Sequence, residues 1–136
     1  MEKPSYKYEL EFSVRDYECD LQGIVNNSVY QNYLEHTRHE FLKHKGIDFA
    51  QLHKEGIDAV VIRVEMDYLF SLTSGDRFVV RLNVERESKL RLVFKQDIYR
   101  LSDEKPILRA KVFAVCLKNG RPFVAEKLIE VLELEL

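Results

Sequence analysis

The chain has 136 residues, of which 46% are hydrophobic and 32% charged, a composition that suits one soluble domain with a substantial core. Its net charge of -2 gives no general attraction to nucleic acid or to an anionic membrane. The opening MEKPSYKYELEF lacks the apolar run of a signal peptide or a spanning helix, and Cys19 and Cys116 form no C-x-x-C motif, so the two read as free thiols of a cytoplasmic protein.

Tyr6, Tyr8, Leu10, Phe12 and Val14 alternate with Lys7, Glu9, Glu11 and Ser13, the period of a strand with one buried face. An acidic loop carrying Asp16, Glu18 and Asp20 follows and runs into Gly23. After Ile24 and Val25 the pair Asn26-Asn27 marks the start of a long helix, because an Asn side chain can accept from a first-turn amide that has no partner within the helix. Tyr30, Tyr33, Leu34, Thr37 and Phe41 form its apolar stripe, with Gln31, Glu35, Arg38 and Lys45 largely away from it, and Gly46 is the expected stop. A short helix is predicted over 48–54, capped by Asp48 and ended by Gly56.

From 59 to 70 the period becomes two, with Val60, Ile62, Val64, Met66, Tyr68 and Phe70 expected on one face. Ser74-Gly75-Asp76 makes a turn, and Phe78, Val80, Leu82 and Val84 repeat the alternation. A polar turn at 87–89 leads to Leu90, Leu92, Phe94 and Ile98, and after 102–106 the face Leu108, Ala110, Val112, Ala114 and Cys116 follows. Asn119-Gly120 signals a tight turn, and the tail EKLIEVLEL fits a terminal helix or a further strand, the helix being favoured. No repeat or linker interrupts the chain, so residues 1–136 are expected to be a single domain. One long helix with a strand before it and four after it buries its apolar faces when a curved antiparallel sheet wraps the helix, an α+β arrangement.

The chemistry concentrates in the stretch 15–41. First-turn amides make a helix start electropositive and able to hold an oxyanion, and Gly23 allows a tight path that returns the Asp20 carboxylate toward that end. A base or nucleophile beside an oxyanion site is the minimum for acyl transfer. Asp20 also has a plainer reading, a turn carboxylate accepting backbone hydrogen bonds. The histidines at 36, 39, 44 and 53 lack zinc-like partners and H-E-x-x-H is absent, so no metal is expected; G-x-S-x-G, G-x-G-x-x-G and a Walker loop are absent too.

Asp20, Gly23, Ile24, Val25, Asn27, Tyr30, Tyr33, Glu35 and Arg38 fall in register on the pattern D-x-x-G-[IVH]-V-x-[NHY]-x-x-Y-x-x-[YF]-x-[ED]-x-x-R. In this the stretch resembles the active-site segment of hotdog-fold acyl-CoA thioesterases of the 4-hydroxybenzoyl-CoA thioesterase branch. Many relatives carry His at the position of Ile24 or Asn27; this chain has none there, which leaves Asp20 and backbone amides as the core of the site. The resemblance implies a hotdog fold, with about five strands curved around one long central helix, and hydrolysis of an acyl-CoA thioester to free acid and coenzyme A. It implies Asp20 as base or nucleophile, with Gly23 shaping the loop and the backbone amide of Asn27, among those of 26–28, as oxyanion donor.

Further expectations follow from the same resemblance. Tyr30, Tyr33, Tyr68 and Phe70 would shape the acyl pocket, although core packing is the commoner duty of such rings. The turn group Arg86, Ser88 and Lys89 would grip the nucleotide end of coenzyme A, and Glu35 and Arg38 would support the site or a subunit contact, or else pair with each other at the surface. No cofactor is implied beyond the coenzyme A of the substrate. Partners are a small acyl-CoA and a second copy of the chain, as a homodimer or homotetramer with sites between subunits, and neither nucleic acid nor membrane. The alternatives are an acyl-carrier-protein thioesterase and a non-catalytic acyl-CoA-binding hotdog protein.

Overall fold

The computed structural model describes residues 5–135. Strand β1 (Tyr8–Ser13) is followed by a single 3-10 turn (Asp16–Glu18), helix α1 (Asn27–His44) and the short helix α2 (Phe49–Lys54). Strands β2 (Ile57–Tyr68), β3 (Arg77–Arg86), β4 (Arg91–Arg100) and β5 (Pro106–Lys118) come next, and β6 (Arg121–Pro122) and helix α3 (Glu126–Val131) end the chain. The strands make one antiparallel sheet in the order β1-β3-β4-β5-β2, with β6 paired to β5. A long helix against a sheet of this order is the hotdog arrangement, and β6 is a strand the sequence pattern did not announce. Asn119 and Gly120 both take positive φ, 51° and 81°, as the two-residue hairpin turn between β5 and β6 requires.

Helix α1 spans about 27 Å at 1.5 Å per residue and buries the stripe expected of it. Tyr30, Tyr33, Leu34, Thr37, Phe41 and Leu42 are all buried. Two clusters divide that stripe. Toward the helix start, Tyr30, Tyr33 and Leu34 pack with Phe78, Val80, Ile98, Leu108 and Ala110; toward its end, Phe41 and Leu42 pack with Leu82, Val84, Phe94, Val112 and Ala114. Each fully buried Leu, Ile or Phe contributes roughly 1.5–3 kcal/mol, so the two clusters are what hold the helix on the sheet. The end of α1 is closed at Gly46, whose φ of 81° lets its own amide reach Lys43 and the Ile47 amide reach Leu42.

Strand β2 corrects the strict alternation read from 59–70. Its register on β5 shifts between Val61 and Arg63, so Ile62 is an inserted bulge residue. On one side of the bulge Ala59 and Val61 lie opposite Cys116 and Ala114; on the other, Val64, Met66 and Tyr68 lie opposite Val112, Ala110 and Leu108. Inward positions therefore change from odd to even residues, and Val60 and Ile62 are not on the face that Val64 and Tyr68 share. Nor is β2 half-buried, because it forms one edge of the sheet, and Val61, Ile62, Val64 and Tyr68 are 49%, 45%, 39% and 47% exposed.

One polar contact ties helix to sheet. Gln96 sits at an inward position of β4 with no solvent exposure; its side-chain amide donates to the Leu34 carbonyl at 3.0 Å, and its carbonyl accepts from Arg38 at 2.9 Å. Burial lowers the Arg38 pKa from its ordinary value, the guanidinium being largely withdrawn from water. A buried charge with half its partners removed is costly. Gln96→Leu is therefore expected to lower unfolding stability by about 1–3 kcal/mol in urea titrations, and the double change with Arg38→Met to cost less than the two single changes summed.

Candidate active site

The loop before α1 is a small ladder of its own. Cys19 and Val25 form an antiparallel bridge, the Asp20 amide donates to the Ile24 carbonyl at 2.9 Å, and the Asn26 amide donates to the Glu18 carbonyl at 3.0 Å. Between these rungs the chain turns at 20–23, where the Gly23 amide donates to the Asp20 carbonyl at 3.0 Å. Gly23 has a φ of 80°, and a Cβ there would touch nothing, so the glycine serves the backbone conformation alone. The ladder is anchored to the core by buried Val25, whose amide donates to the Leu72 carbonyl at 2.9 Å, and by a bridge from Ile24 to Thr73.

This geometry ties the Asp20 side chain to its own turn. One carboxylate oxygen, Oδ1, accepts from the Gln22 amide at 2.9 Å and the Ile24 amide at 3.4 Å. Asp20 is thus a turn carboxylate, and its second oxygen stays free of described partners. The rival acids of the loop are spoken for: Ser74 donates to Asp16, and Glu18 accepts from the Arg15 amide at 2.8 Å.

At the helix start the structure decides which asparagine of the pair caps. Asn26 is the N-cap, and its side chain accepts from the Ser28 amide at 3.1 Å; Asn27 is the first helical residue. The Asn26 amide is used by Glu18, the Ser28 amide by the cap and the Val29 amide by the Asn26 carbonyl. Of the three amides at 26–28, only that of Asn27 has no hydrogen bond among the described residues. An unpaired donor at a helix N-terminus is what an oxyanion needs.

Around this point the expected aromatic set divides. Tyr68 is exposed, and its hydroxyl lies 3.5 Å from the Asn27 carbonyl, over the helix start. Tyr30 and Tyr33 correct the expectation that they shape an open pocket, for they are 3% and 4% exposed. The Tyr30 hydroxyl accepts from the Leu72 amide at 3.0 Å, and the Tyr33 ring packs 4.7 Å from Phe78 and 5.4 Å from Phe12. Their work is to fix α1 in place. Phe70 is exposed too, with the Lys105 ammonium 3.8 Å above its ring.

Arg86, Ser88 and Lys89 are not brought to Asp20. The chain enters β3 at Arg77, beside Thr73 and Asp76 of the loop, and reaches Arg86 nine residues later, about 30 Å away at 3.3–3.4 Å per residue. There Arg86 donates to the Lys89 carbonyl at 3.0 Å, Ser88 accepts from the Arg91 amide at 3.2 Å, and Arg86 and Lys89 border a 470 Å³ hollow with Glu126, Glu130, Glu133 and Glu135. Glu35 and Arg38 do not pair with each other either: Glu35 lies 4.0 Å from His39, and Arg38 turns inward to Gln96. With Gln31, Val61 and Val64 they line a 140 Å³ pocket between α1 and the β2 edge. Among the described residues no three His, Cys, Asp or Glu side chains stand close enough to hold a metal ion, and no helix is long and apolar enough to cross a membrane.

Gln96 escaped the sequence reading. Its signal was a polar residue at an inward position among Leu92, Phe94 and Ile98.

Comparison with known proteins gives the family and the fold. The family profile described as Thioesterase-like superfamily matches residues 14–130, a span that holds the loop, helix α1 and every strand of the sheet but β1. A chloroplastic acyl-acyl carrier protein thioesterase of Arabidopsis thaliana is 43% identical over 112 residues, 82% of this chain and 59% of that protein, and a second from the same plant is 42% identical over 60% of its length. The chain thus spans about three fifths of these plant relatives. Among solved structures, a hypothetical protein of Aquifex aeolicus superposes with a TM-score of 0.85 at 29% identity, over 92% of this chain and 98% of that one. A 1,4-dihydroxy-2-naphthoyl-CoA thioesterase from Synechocystis also reaches 0.85, at 16% identity over 92% and 93%, a likeness of fold. The chain belongs to the Thioesterase-like superfamily and has its hotdog fold.

Proposed function

We propose that the chain hydrolyses acyl-CoA thioesters to free acid and coenzyme A, with Asp20 supplying the base or nucleophile and the Asn27 amide holding the oxyanion. The observation that carries the reading is that one short loop and the helix start it feeds hold both groups: a carboxylate fixed by Oδ1 with its other oxygen free of described partners, and, seven residues on, the one amide of 26–28 without a described partner. The thioester oxygen points at the Asn27 amide. Asp20 either attacks the carbonyl to give a mixed anhydride or takes a proton from an attacking water, and both routes build the same negative charge on that oxygen. Coenzyme A enters as part of the substrate and no other cofactor is needed.

In a single chain the candidate site is half a site. Asp20 is exposed, and the hollows of 510, 470 and 140 Å³ are lined by other residues. What supports a partner copy is the β2 edge, twelve residues long with Val61, Ile62, Val64 and Tyr68 exposed, since a long apolar edge pairs unless it is blunted. A homodimer joined antiparallel through β2 puts a second sheet beside the helix start and supplies the missing wall; a tetramer adds to this unit. Such a dimer also delivers positive charge from a second chain, which Arg86 and Lys89 cannot do for their own Asp20. The two unpaired cysteines support a cytoplasmic setting.

A second reading is hydrolysis of acyl groups from acyl carrier protein, favoured by the names and the 43% and 42% identities of the plant relatives. Acyl-CoA and acyl-carrier-protein panels compared at one acyl length separate the two. Purified protein with acyl-CoA esters should release free thiol, and Asp20→Asn should abolish it; binding without thiol release in the unaltered protein would leave a non-catalytic acyl-CoA binder.

The amide admits its own test, because proline is tolerated at the first helical position and Asn26 already has the extended ψ of 137° that a following proline asks for. Asn27→Pro is expected to keep the melting temperature within a few degrees and to lower turnover by about 10²–10³, the usual cost of one oxyanion donor. Unchanged turnover would move the oxyanion site elsewhere. Val64→Lys, in the middle of the edge, is expected to shift the chain toward monomer in sedimentation and to lower activity with it.

A further inference from the structure

Residues 71–76 join β2 to β3 at the Tyr68 end of β2, away from the 510 Å³ hollow that Ala59 lines at the other end. The loop that carries Asp20 leans on this segment along its length. The Leu72 carbonyl accepts from the Val25 amide at 2.9 Å, Thr73 bridges Ile24, and Ser74 donates to Asp16. Just past β1, the Val14 amide donates to the Asp76 carbonyl at 2.8 Å and the Val14 carbonyl accepts from the Gly75 amide at 3.0 Å. Leu72, with no solvent exposure, also gives its amide to the Tyr30 hydroxyl at 3.0 Å, which ties the segment to the first turn of α1.

A connection outside regular structure has no ladder of its own, so side chains must fix it. The Asp76 carboxylate closes this one by accepting from the Thr73 amide at 2.9 Å and the Thr73 hydroxyl at 3.2 Å. Arg100 then spans it. This residue ends β4, and its guanidinium donates through Nη2 to the Ser71 carbonyl at 3.0 Å, while Nε lies 3.5 Å from the Asp76 carboxylate and Nη1 3.2 Å from that of Asp103. Ser71 and Asp76 are the two ends of the segment, and a planar fork grips both at once where an ammonium would grip one. The Arg100 side chain is 21% exposed, so water and salt screen this contact less than they screen Lys95 with Glu85 on the outward face of the sheet.

Resting on the Asp20 and Asn27 centre proposed above, we infer that Arg100 is a positioning residue for that centre: by stapling 71–76 it holds the Asp20 turn and the start of α1 in one fixed relation. Arg100 makes no described contact with either group. Its effect passes through Ser71 and Asp76 to Leu72 and Thr73, and from there to Val25, Ile24 and Tyr30. A displacement of about 1 Å at reacting groups can cost on the order of 10²-fold in rate, which makes such a remote hold kinetically visible.

Amide hydrogen exchange reads the hold whether or not the protein turns over. Arg100→Gln is expected to speed exchange of the Val25 and Asn26 amides by about tenfold or more and to leave those of Lys45 and Gly46, at the far end of α1, unchanged. With acyl-CoA esters the same variant is expected to lower kcat by about 10–100-fold while KM stays within about threefold, the mark of a lost transition-state geometry. Arg100→Lys keeps the charge and grips one end of the segment; it is expected to show both changes at smaller size, and it carries the test if the glutamine variant does not fold. Lys95→Gln breaks the ion pair with Glu85 on the same strand and is expected to match the unaltered protein in both measurements. Exchange that is unchanged at Val25 and Asn26, or that rises evenly across α1 and the sheet, overturns the positioning role. Faster local exchange with kcat unchanged overturns it too, as does a rise in KM alone. A protein that releases no thiol from any acyl-CoA fails the enzymatic reading instead, and the exchange arm still decides whether Arg100 holds the loop.

Discussion

Everything at the candidate site depends on how the first turn of α1 is held. A helix start leaves its opening amides without partners, and this chain satisfies all but one of them by local means: Asn26 takes one, its carbonyl another, and Glu18 accepts from the cap itself. Rigidity comes from behind, where Leu72 receives the Val25 amide and gives its own amide to the Tyr30 hydroxyl. A donor that is unpaired yet immobile costs no reorganisation when charge appears opposite it, which is the condition under which a single hydrogen bond matters to a barrier.

The tyrosines show why a motif can be in register while its residues serve another end. Tyr30 and Tyr33 are spaced to meet a ligand only if the helix turns them toward solvent, but their spacing is also that of the apolar stripe, and the sheet claims them. Burial and then the Glu18 carboxylate push the Tyr33 pKa up, so it stays a neutral ring of the core. Tyr68, from a strand edge that nothing among the described residues covers, is the aromatic that remains at the site. The division follows from topology, which no spacing rule contains.

Much of the fold was legible because its signals are local. The stripe from Tyr30 to Phe41, the Asp48 cap, the Asn119-Gly120 turn and the alternation of β3 and β5 each follow from periodicity or turn chemistry within a few residues. The turn that Asp20 and Gly23 make was legible for the same reason. What was not legible is what depends on distant pairing: that Arg86 ends up some 30 Å from the loop it was expected to serve, that Arg38 prefers buried Gln96 to its neighbour Glu35, and that Asn26 rather than Asn27 takes the cap. Two asparagines in sequence have equal claim to that role until the ladder to Glu18 decides the backbone.

The inserted residue at Ile62 gives β2 two incompatible duties at once. In an unbroken pleat, the parity that turns Tyr68 inward would also turn Val60 inward at the far end, where the valine would crowd Cys116 and Ala114. One extra residue resets the count, so the same strand offers a phenol beside the helix start and only a methyl group at the opposite end. Removing that single irregularity would straighten the ladder, and the strand could then keep its aromatic or its hollow, but not both.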